Sequence, residues 1–162
     1  MPEIHVIDTH ALLALPGHCA DSSKIHLFFD GLTNQVASGA LTFPSLVVHD
    51  CRAYAEGEIV HTWIKAVSAH RKYQSVDNGW LEEVLTQCEQ LADIDDDQEQ
   101  TPLSVGAMSL MLSDSGMDVR VVTEDRLELP NRICLFEACS TLGLQAISAN
   151  DFLVKCEMEE FL

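Results

Sequence analysis

Residues 119–125, with the sequence VRVVTED, decide how this chain is expected to fold. The stretch is rich in β-branched residues and ends in two acids, which predicts a strand followed directly by Glu124 and Asp125. A second apolar run, IHVI at 4–7, ends at Asp8 in the same way. Short apolar runs of this kind are typical of strands buried on both faces. We therefore predict that both strands lie in one parallel sheet, with their acids at its carboxyl-end edge.

Helices are expected between these strands. They are placed where apolar residues recur every three or four positions, over 23–38, 45–69, 80–91, 101–115, 133–142 and 150–159. Strands are expected over 4–7, 41–43, 119–123 and 144–148. Because strands that alternate with helices form right-handed crossovers, the sequence predicts an α/β three-layer sandwich, a parallel sheet with helices on both faces.

Length and charge limit the organisation and the class of partner. A chain of 162 residues fits a single domain, 1–162, and 47% apolar residues suffice for a hydrophobic core. Nine Lys and Arg against 26 Asp and Glu give a net charge of −17, which disfavours a broad basic face for nucleic acid. Any polyanionic substrate is therefore expected to bind locally, through a metal ion.

The sequence predicts neither a membrane-spanning segment nor a signal peptide. Its apolar runs, such as 11–15, are far shorter than the roughly 20 residues that span a bilayer. The opening Met-Pro-Glu lacks the basic and apolar regions of a signal peptide, so the cytoplasm is the expected compartment. Six cysteines without a Cys-x-x-Cys pair are typical of buried reduced thiols rather than of disulfides or a zinc site.

Acids at the ends of elements are the candidate chemical groups, because the sequence has no glycine-rich phosphate loop, dinucleotide fingerprint or nucleophile elbow. Asp8 follows the first strand, Asp50 lies in the helix after Pro44, and Glu124 with Asp125 follows the third strand. Acids in such positions repel one another unless a divalent cation lies between them. Mg²⁺ or Mn²⁺ held there can generate hydroxide and stabilise phosphoryl oxygens during phosphodiester hydrolysis.

These segments resemble the PIN-domain ribonucleases, a family that includes the toxins of many bacterial toxin–antitoxin pairs. The resemblance rests on VIDT at 6–9, FPSLVVHD at 43–50, VVTED at 121–125 and the closing segment at 129–153, and it covers essentially the whole chain. It implies a PIN-like fold and a Mg²⁺- or Mn²⁺-dependent endoribonuclease. It further implies an RNA substrate, an antitoxin protein as partner and a homodimer as the assembly.

The resemblance assigns catalysis and metal binding to Asp8, Asp50 and Asp125. Asp8 and Asp125 would hold the ion, Asp50 would hold it or orient the attacking water, and water as hydroxide is the nucleophile. Taken singly, each acid is also an ordinary residue of a strand end, a helix face or a turn. Thr9 and Thr123 are candidates to position a water or a phosphate oxygen, although β-branched residues are common at strand ends anyway.

Weaker candidates surround these residues. Glu124 is placed beside Asp125 as a further acid. Arg126, on the other side of Asp125, is positioned to bind a phosphate or to form a solvated ion pair.

One position departs from the family pattern. Thr101-Pro102 stands where the family usually has an acid that opens a helix, and Thr101 is expected to cap that helix without adding charge. Asp97 or Glu99, from the preceding acidic loop, is a candidate to supply the missing charge, unless the loop is simply solvated. The alternative function is a degenerate PIN-like domain with a weakened metal site that serves as a protein- or RNA-binding module.

Overall fold

The central sheet has four parallel strands within residues 3–162, the part of the chain that this computed structural model describes. The strands are β1 (Glu3–Ile7), β2 (Leu41–Thr42), β3 (Asp118–Val122) and β4 (Gln145–Ile147). Their order is β2-β1-β3-β4, so β1 and β3 occupy the middle of the sheet and pair over their full length. The predicted parallel sheet is confirmed.

Eight α-helices lie between and after the strands within this described range. They are α1 (Thr9–His18), α2 (Ile25–Ser38), α3 (Ser45–Ala55), α4 (Ile59–Val67), α5 (Asn78–Gln87), α6 (Thr101–Asp114), α7 (Leu135–Leu142) and α8 (Ala149–Lys155). Residues 4–7 of β1 are all buried, and because successive strand side chains point to opposite faces, both faces of the sheet are covered. The molecule is therefore a three-layer α/β structure.

Four helical segments differ from the prediction. One is α5, which ends at Gln87 rather than at 91. The sequence predicts no helix at α1, because its apolar run is short and Pro16 and Gly17 follow it. The predicted helix over 45–69 is two helices, since Gly57 adopts φ +83°, a left-handed conformation that a right-handed helix does not continue. The closing helix ends at Lys155 rather than at 159 and is followed by a left-handed residue, Glu157.

The hydrophobic core consists of buried side chains from the strands and from the helices that pack on both faces of the sheet. The buried imidazole of His5 on β1 packs edge-on against Phe152 of α8, with ring centroids 5.1 Å apart. All six cysteines are free and five are buried, as the sequence predicts for reduced thiols. Burial raises the pKa of Cys139 to about 12, which keeps that thiol protonated and unreactive.

The lengths of the helices agree with the short apolar runs of the sequence. Within residues 3–162, none of them has the length and apolar character needed to cross a bilayer.

Gly106, in the buried middle of α6, is a position where a methyl group should stabilise the protein. A Cβ there would lie 3.5 Å from Leu142 and 3.6 Å from Val84, which are ordinary van der Waals distances. We expect Gly106→Ala to raise the free energy of unfolding by about 0.5–1 kcal/mol in urea denaturation, because alanine favours the helix.

Gly143→Ala provides the contrasting variant. Gly143 ends α7 in the left-handed conformation at φ +71°, so alanine there should cost about 1 kcal/mol. A loss of stability in Gly106→Ala would show that α6 packs against its neighbours more tightly than these distances indicate.

Candidate active site

An acidic cleft lies at the edge of the sheet where β1 and β3 end. It has a volume of about 570 Å³, and Asp8, Asp50 and Asp125 all line it. These three acids come from separate parts of the chain: the end of β1, the middle of α3 and the loop after β3. The structure therefore brings together the three residues that the sequence analysis assigns to catalysis.

Asp8 is buried and joins the cleft to α1. Its Oδ1 accepts a hydrogen bond of 2.8 Å from the backbone N–H of Ala11, which caps the helix, and its Oδ2 accepts one from the Thr123 hydroxyl. Burial raises the pKa of the Asp8 carboxyl above its usual range. The hydrogen bonds from Thr123 and Ala11 oppose this rise, while the nearby negative charge of Asp125 adds to it.

Asp125 is held from three directions. Its Oδ2 accepts a hydrogen bond of 2.9 Å from the backbone N–H of Leu135, the first residue of α7. The same oxygen lies 3.0 Å from Nη1 of Arg132. The backbone N–H of Asp125 donates to the Thr123 hydroxyl oxygen at 3.0 Å, so Thr123 connects Asp125 to Asp8.

Asp50 is held by two hydroxyl groups. Its Oδ2 accepts hydrogen bonds from Thr9 at 2.8 Å and from Thr101 at 2.6 Å. The prediction that Thr101 caps α6 is wrong: Gln100 holds the cap position, and the Thr101 hydroxyl turns to Asp50 instead. Thr101 is the first residue inside the helix, where its side chain is free to reach the neighbouring helix α3.

The weaker acidic candidates divide between the cleft and the surface. Glu99 lines the cleft, whereas Asp97 is exposed and does not. Glu124 is also outside the lining, because its Oε1 accepts a hydrogen bond of 2.8 Å from the backbone N–H of Ala149 at the start of α8.

Several lining residues were not identified from the sequence, and Arg132 is the most notable. It follows Asp125 by seven residues in an irregular loop, so no periodic pattern connects the two. Arg126, the arginine adjacent to Asp125, instead pairs with Glu124 at 3.5 Å and lies over the Phe136 ring. Asp93, Asp96 and Tyr54 also line the cleft, and only the tertiary fold brings them there.

The carboxylate and hydroxyl oxygens that line the cleft are the kind of ligand that a hard cation prefers. Within residues 3–162, no three His, Cys, Asp or Glu side chains are arranged to hold a metal ion by themselves. Mg²⁺ commonly keeps several waters and needs only one or two carboxylates. Oδ1 of Asp50 and Oδ1 of Asp125 accept no hydrogen bond from residues 3–162. A cation there would also relieve the repulsion between Asp8 and Asp125, so the residues fit such an ion.

The fold and the cleft together define an α/β protein with an acidic cleft at the carboxyl ends of a parallel sheet. No protein-family model matches the chain, and no curated protein matches it significantly.

Asp8 should make the stability of the protein depend on pH. Its pKa is higher in the folded than in the unfolded chain, so the folded state binds more protons, and stability falls as pH rises above the ordinary Asp value of 3.8. We expect Asp8→Asn to be more stable than the wild type at pH ~7, with the difference shrinking toward pH ~4, in urea denaturation.

Asparagine is a suitable replacement because it also caps helices well. Asp30→Asn, which changes an exposed acid on α2, is the matched control and should behave like the wild type at both pH values. Equal destabilisation of Asp8→Asn at both pH values would contradict the argument from burial.

Proposed function

We propose that this protein is a PIN-like endoribonuclease that uses Mg²⁺ or Mn²⁺ to hydrolyse phosphodiester bonds in the acidic cleft. The observation that carries the proposal is the convergence of Asp8, Asp50 and Asp125 from three separate elements on one cleft. The further proposal that it is the toxin of a type II toxin–antitoxin pair rests on the sequence resemblance of 6–9, 43–50 and 121–125 alone.

The position of the cleft supports a catalytic role. In open parallel α/β sheets, ligands bind beyond the carboxyl ends of the strands. Asp8 directly follows β1, and Asp125 lies three residues beyond the end of β3; the two strands pair with Ile7 opposite Val122. Both acids are thus held beside the ends of the two central strands, and a catalytic group needs such a fixed position.

The three acids have two roles in this proposal. Asp8 and Asp125 would hold the cation, which supplies an activated water and neutralises charge on the phosphoryl oxygens. Thr123 links the Asp8 carboxylate to the backbone N–H of Asp125 through its hydrogen bonds. Asp50, with Oδ2 occupied by two hydroxyls, has Oδ1 available to accept a hydrogen bond from the attacking water.

The strong negative charge of the chain is compatible with this function only if RNA is bound locally. A net charge of −17 gives no long-range attraction for a polyanion. A divalent cation in the cleft would supply the attraction at the point of cleavage.

A second candidate function is a protein- or RNA-binding module with a weakened metal site. It is favoured by the partners that the acids already have: Thr101 contributes a hydroxyl rather than a carboxylate beside Asp50, and Arg132 is paired with Asp125. In such a module the cleft would bind a basic segment of a partner through charge complementarity.

Cleavage of RNA tests the first function directly. We expect the wild type to cut a mixed pool of RNA in Mn²⁺, and Asp8→Asn and Asp125→Asn each to reduce the rate at least a hundredfold, roughly the contribution of a catalytic group. EDTA should abolish cleavage.

Asp30→Asn is again the matched control and should cleave at the wild-type rate. Circular dichroism should show that all variants are folded. Cleavage that persists in EDTA, or that is equal in wild type and Asp8→Asn, would contradict the proposal.

Thr101→Asp tests whether the cleft binds metal. The variant loses the 2.6 Å hydrogen bond and places a second carboxylate beside Asp50. Without metal we expect it to lose about 1–3 kcal/mol of stability. With Mn²⁺ its affinity should exceed that of the wild type by about tenfold in calorimetry, roughly 1.4 kcal/mol.

Thr101→Val is the control, because it removes the hydroxyl without adding charge. It should be less stable than the wild type and gain no affinity for Mn²⁺. If Thr101→Asp also gains none, either Asp97 or Glu99 already supplies the missing charge or the cleft is not a metal site. Loss of Mn²⁺ binding on replacing both Asp97 and Glu99 would identify the first case, and its absence would favour the binding module.

A further inference from the structure

Side chains that can carry positive charge are scarce in the cleft: among the described lining residues they are Arg132 and His10. Among the described residues that line it, Arg132 is the only Lys or Arg. It faces six carboxylates, from Asp8, Asp50, Asp93, Asp96, Glu99 and Asp125. An RNA strand that enters this cleft therefore meets one permanently charged cation, the guanidinium of Arg132, among these carboxylates.

The guanidinium of Arg132 uses only part of its hydrogen-bonding capacity. Nη1 donates to Oδ2 of Asp125 at 3.0 Å and to the carbonyl oxygen of Ile133 at 2.9 Å. Nε and Nη2 donate to no residue of the described chain. The fully buried side-chain nitrogens without a partner belong to His5 and Arg120, so the free donors of Arg132 reach solvent.

Backbone hydrogen bonds fix the loop that carries Arg132, and the two bonds of Nη1 fix its side chain. The carbonyl oxygen of Arg132 accepts a hydrogen bond from the N–H of Leu129 at 3.3 Å, which closes a tight turn. The next residue, Ile133, donates its N–H to the carbonyl oxygen of Gln90 at 2.9 Å. The guanidinium is thus positioned before a ligand arrives, which lowers the entropic cost of binding.

We propose that Arg132 binds a backbone phosphate of single-stranded RNA through Nε and Nη2 while Nη1 stays on Asp125. The Nε and Nη2 edge of a guanidinium matches two oxygens of one phosphate. Because the opposite nitrogen is fixed to Asp125, the phosphate is placed next to the acid that would hold the cation. This inference rests on the proposed function and names the residue that receives the substrate.

Arg126 provides a matched comparison in the same loop. It also follows β3 and pairs with an acid, Glu124, but it lies over the Phe136 ring and does not line the cleft. Arg126→Gln removes the same charge from the same loop without touching the proposed phosphate position.

The salt dependence of binding tests the proposal. All proteins carry Asp50→Asn so that the RNA stays intact, and the probe is a fluorescent eight-nucleotide single-stranded RNA, followed by anisotropy at constant Mg²⁺ and increasing NaCl. Each phosphate contact on a single strand contributes about 0.7 to the slope of log affinity against log salt. We expect Arg132→Gln to weaken binding by about tenfold and to reduce the slope by about 0.7.

Arg132→Lys should keep the slope, because the charge remains, and bind more weakly than the parent, because the two-pronged edge is lost. Arg126→Gln should match the parent in affinity and slope. An unchanged slope in Arg132→Gln, an equal loss in Arg126→Gln, or no binding of the RNA by the parent would each overturn the proposal.

The outcome is separate from that of the cleavage assay. Arg132-dependent RNA binding without cleavage by the wild type would reject the nuclease and retain the phosphate site. Cleavage by the wild type with an unchanged slope in Arg132→Gln would do the reverse.

Discussion

The pairing of β1 with β3 is the constraint on which the rest of the molecule depends. The two strands are parallel and pair from Glu3 opposite Asp118 to Ile7 opposite Val122. The backbone N–H of Asp8 continues this pairing by donating to the carbonyl oxygen of Val122 at 3.0 Å. Asp8 and Thr123 are consequently side by side, and a slip of one residue would turn every side chain of the strand to the other face.

The cleft is built from acids that are held by neutral hydroxyls as well as by charge. Asp50 accepts from two threonines and Asp8 from a third, whereas Asp125 alone has a guanidinium partner. Hydroxyls satisfy the hydrogen-bonding capacity of a carboxylate without cancelling its charge. The cleft therefore holds more acids than the one guanidinium of Arg132 can neutralise.

The sequence predicted the parts of the molecule that depend on local pattern. The apolar runs of β1 and β3 and the acids after them are visible at 4–8 and 119–125, and the parallel sheet followed from them. Helix α1 was missed because Pro16 lies inside it, in the last turn of a helix capped by Asp8. The cap removes the penalty of an unsatisfied N-terminus, which no apolar periodicity reveals.

Contacts between segments that are distant in the chain could not be predicted from the sequence. The Thr101 hydroxyl donates its hydrogen bond to Asp50, and does not cap its own helix, because α3 and α6 are close in space. Arg132 contacts Asp125 because the loop after β3 folds back on itself. No regular residue spacing in the sequence indicates this contact. Candidate acids could thus be named in advance, whereas the groups that hold them in place could not.

The double duty of Asp8 has a consequence for how relatives of this protein should be interpreted. One of its oxygens caps α1 and the other binds the hydroxyl that connects the two central strands. Selection for folding alone would preserve an acid or amide at this position after any catalytic activity had disappeared. Asp50 lies within α3 and caps no helix, although it accepts hydrogen bonds from Thr9 and Thr101. Under the proposed function, its replacement in a homologue would therefore be a clearer sign of lost activity than a replacement of Asp8.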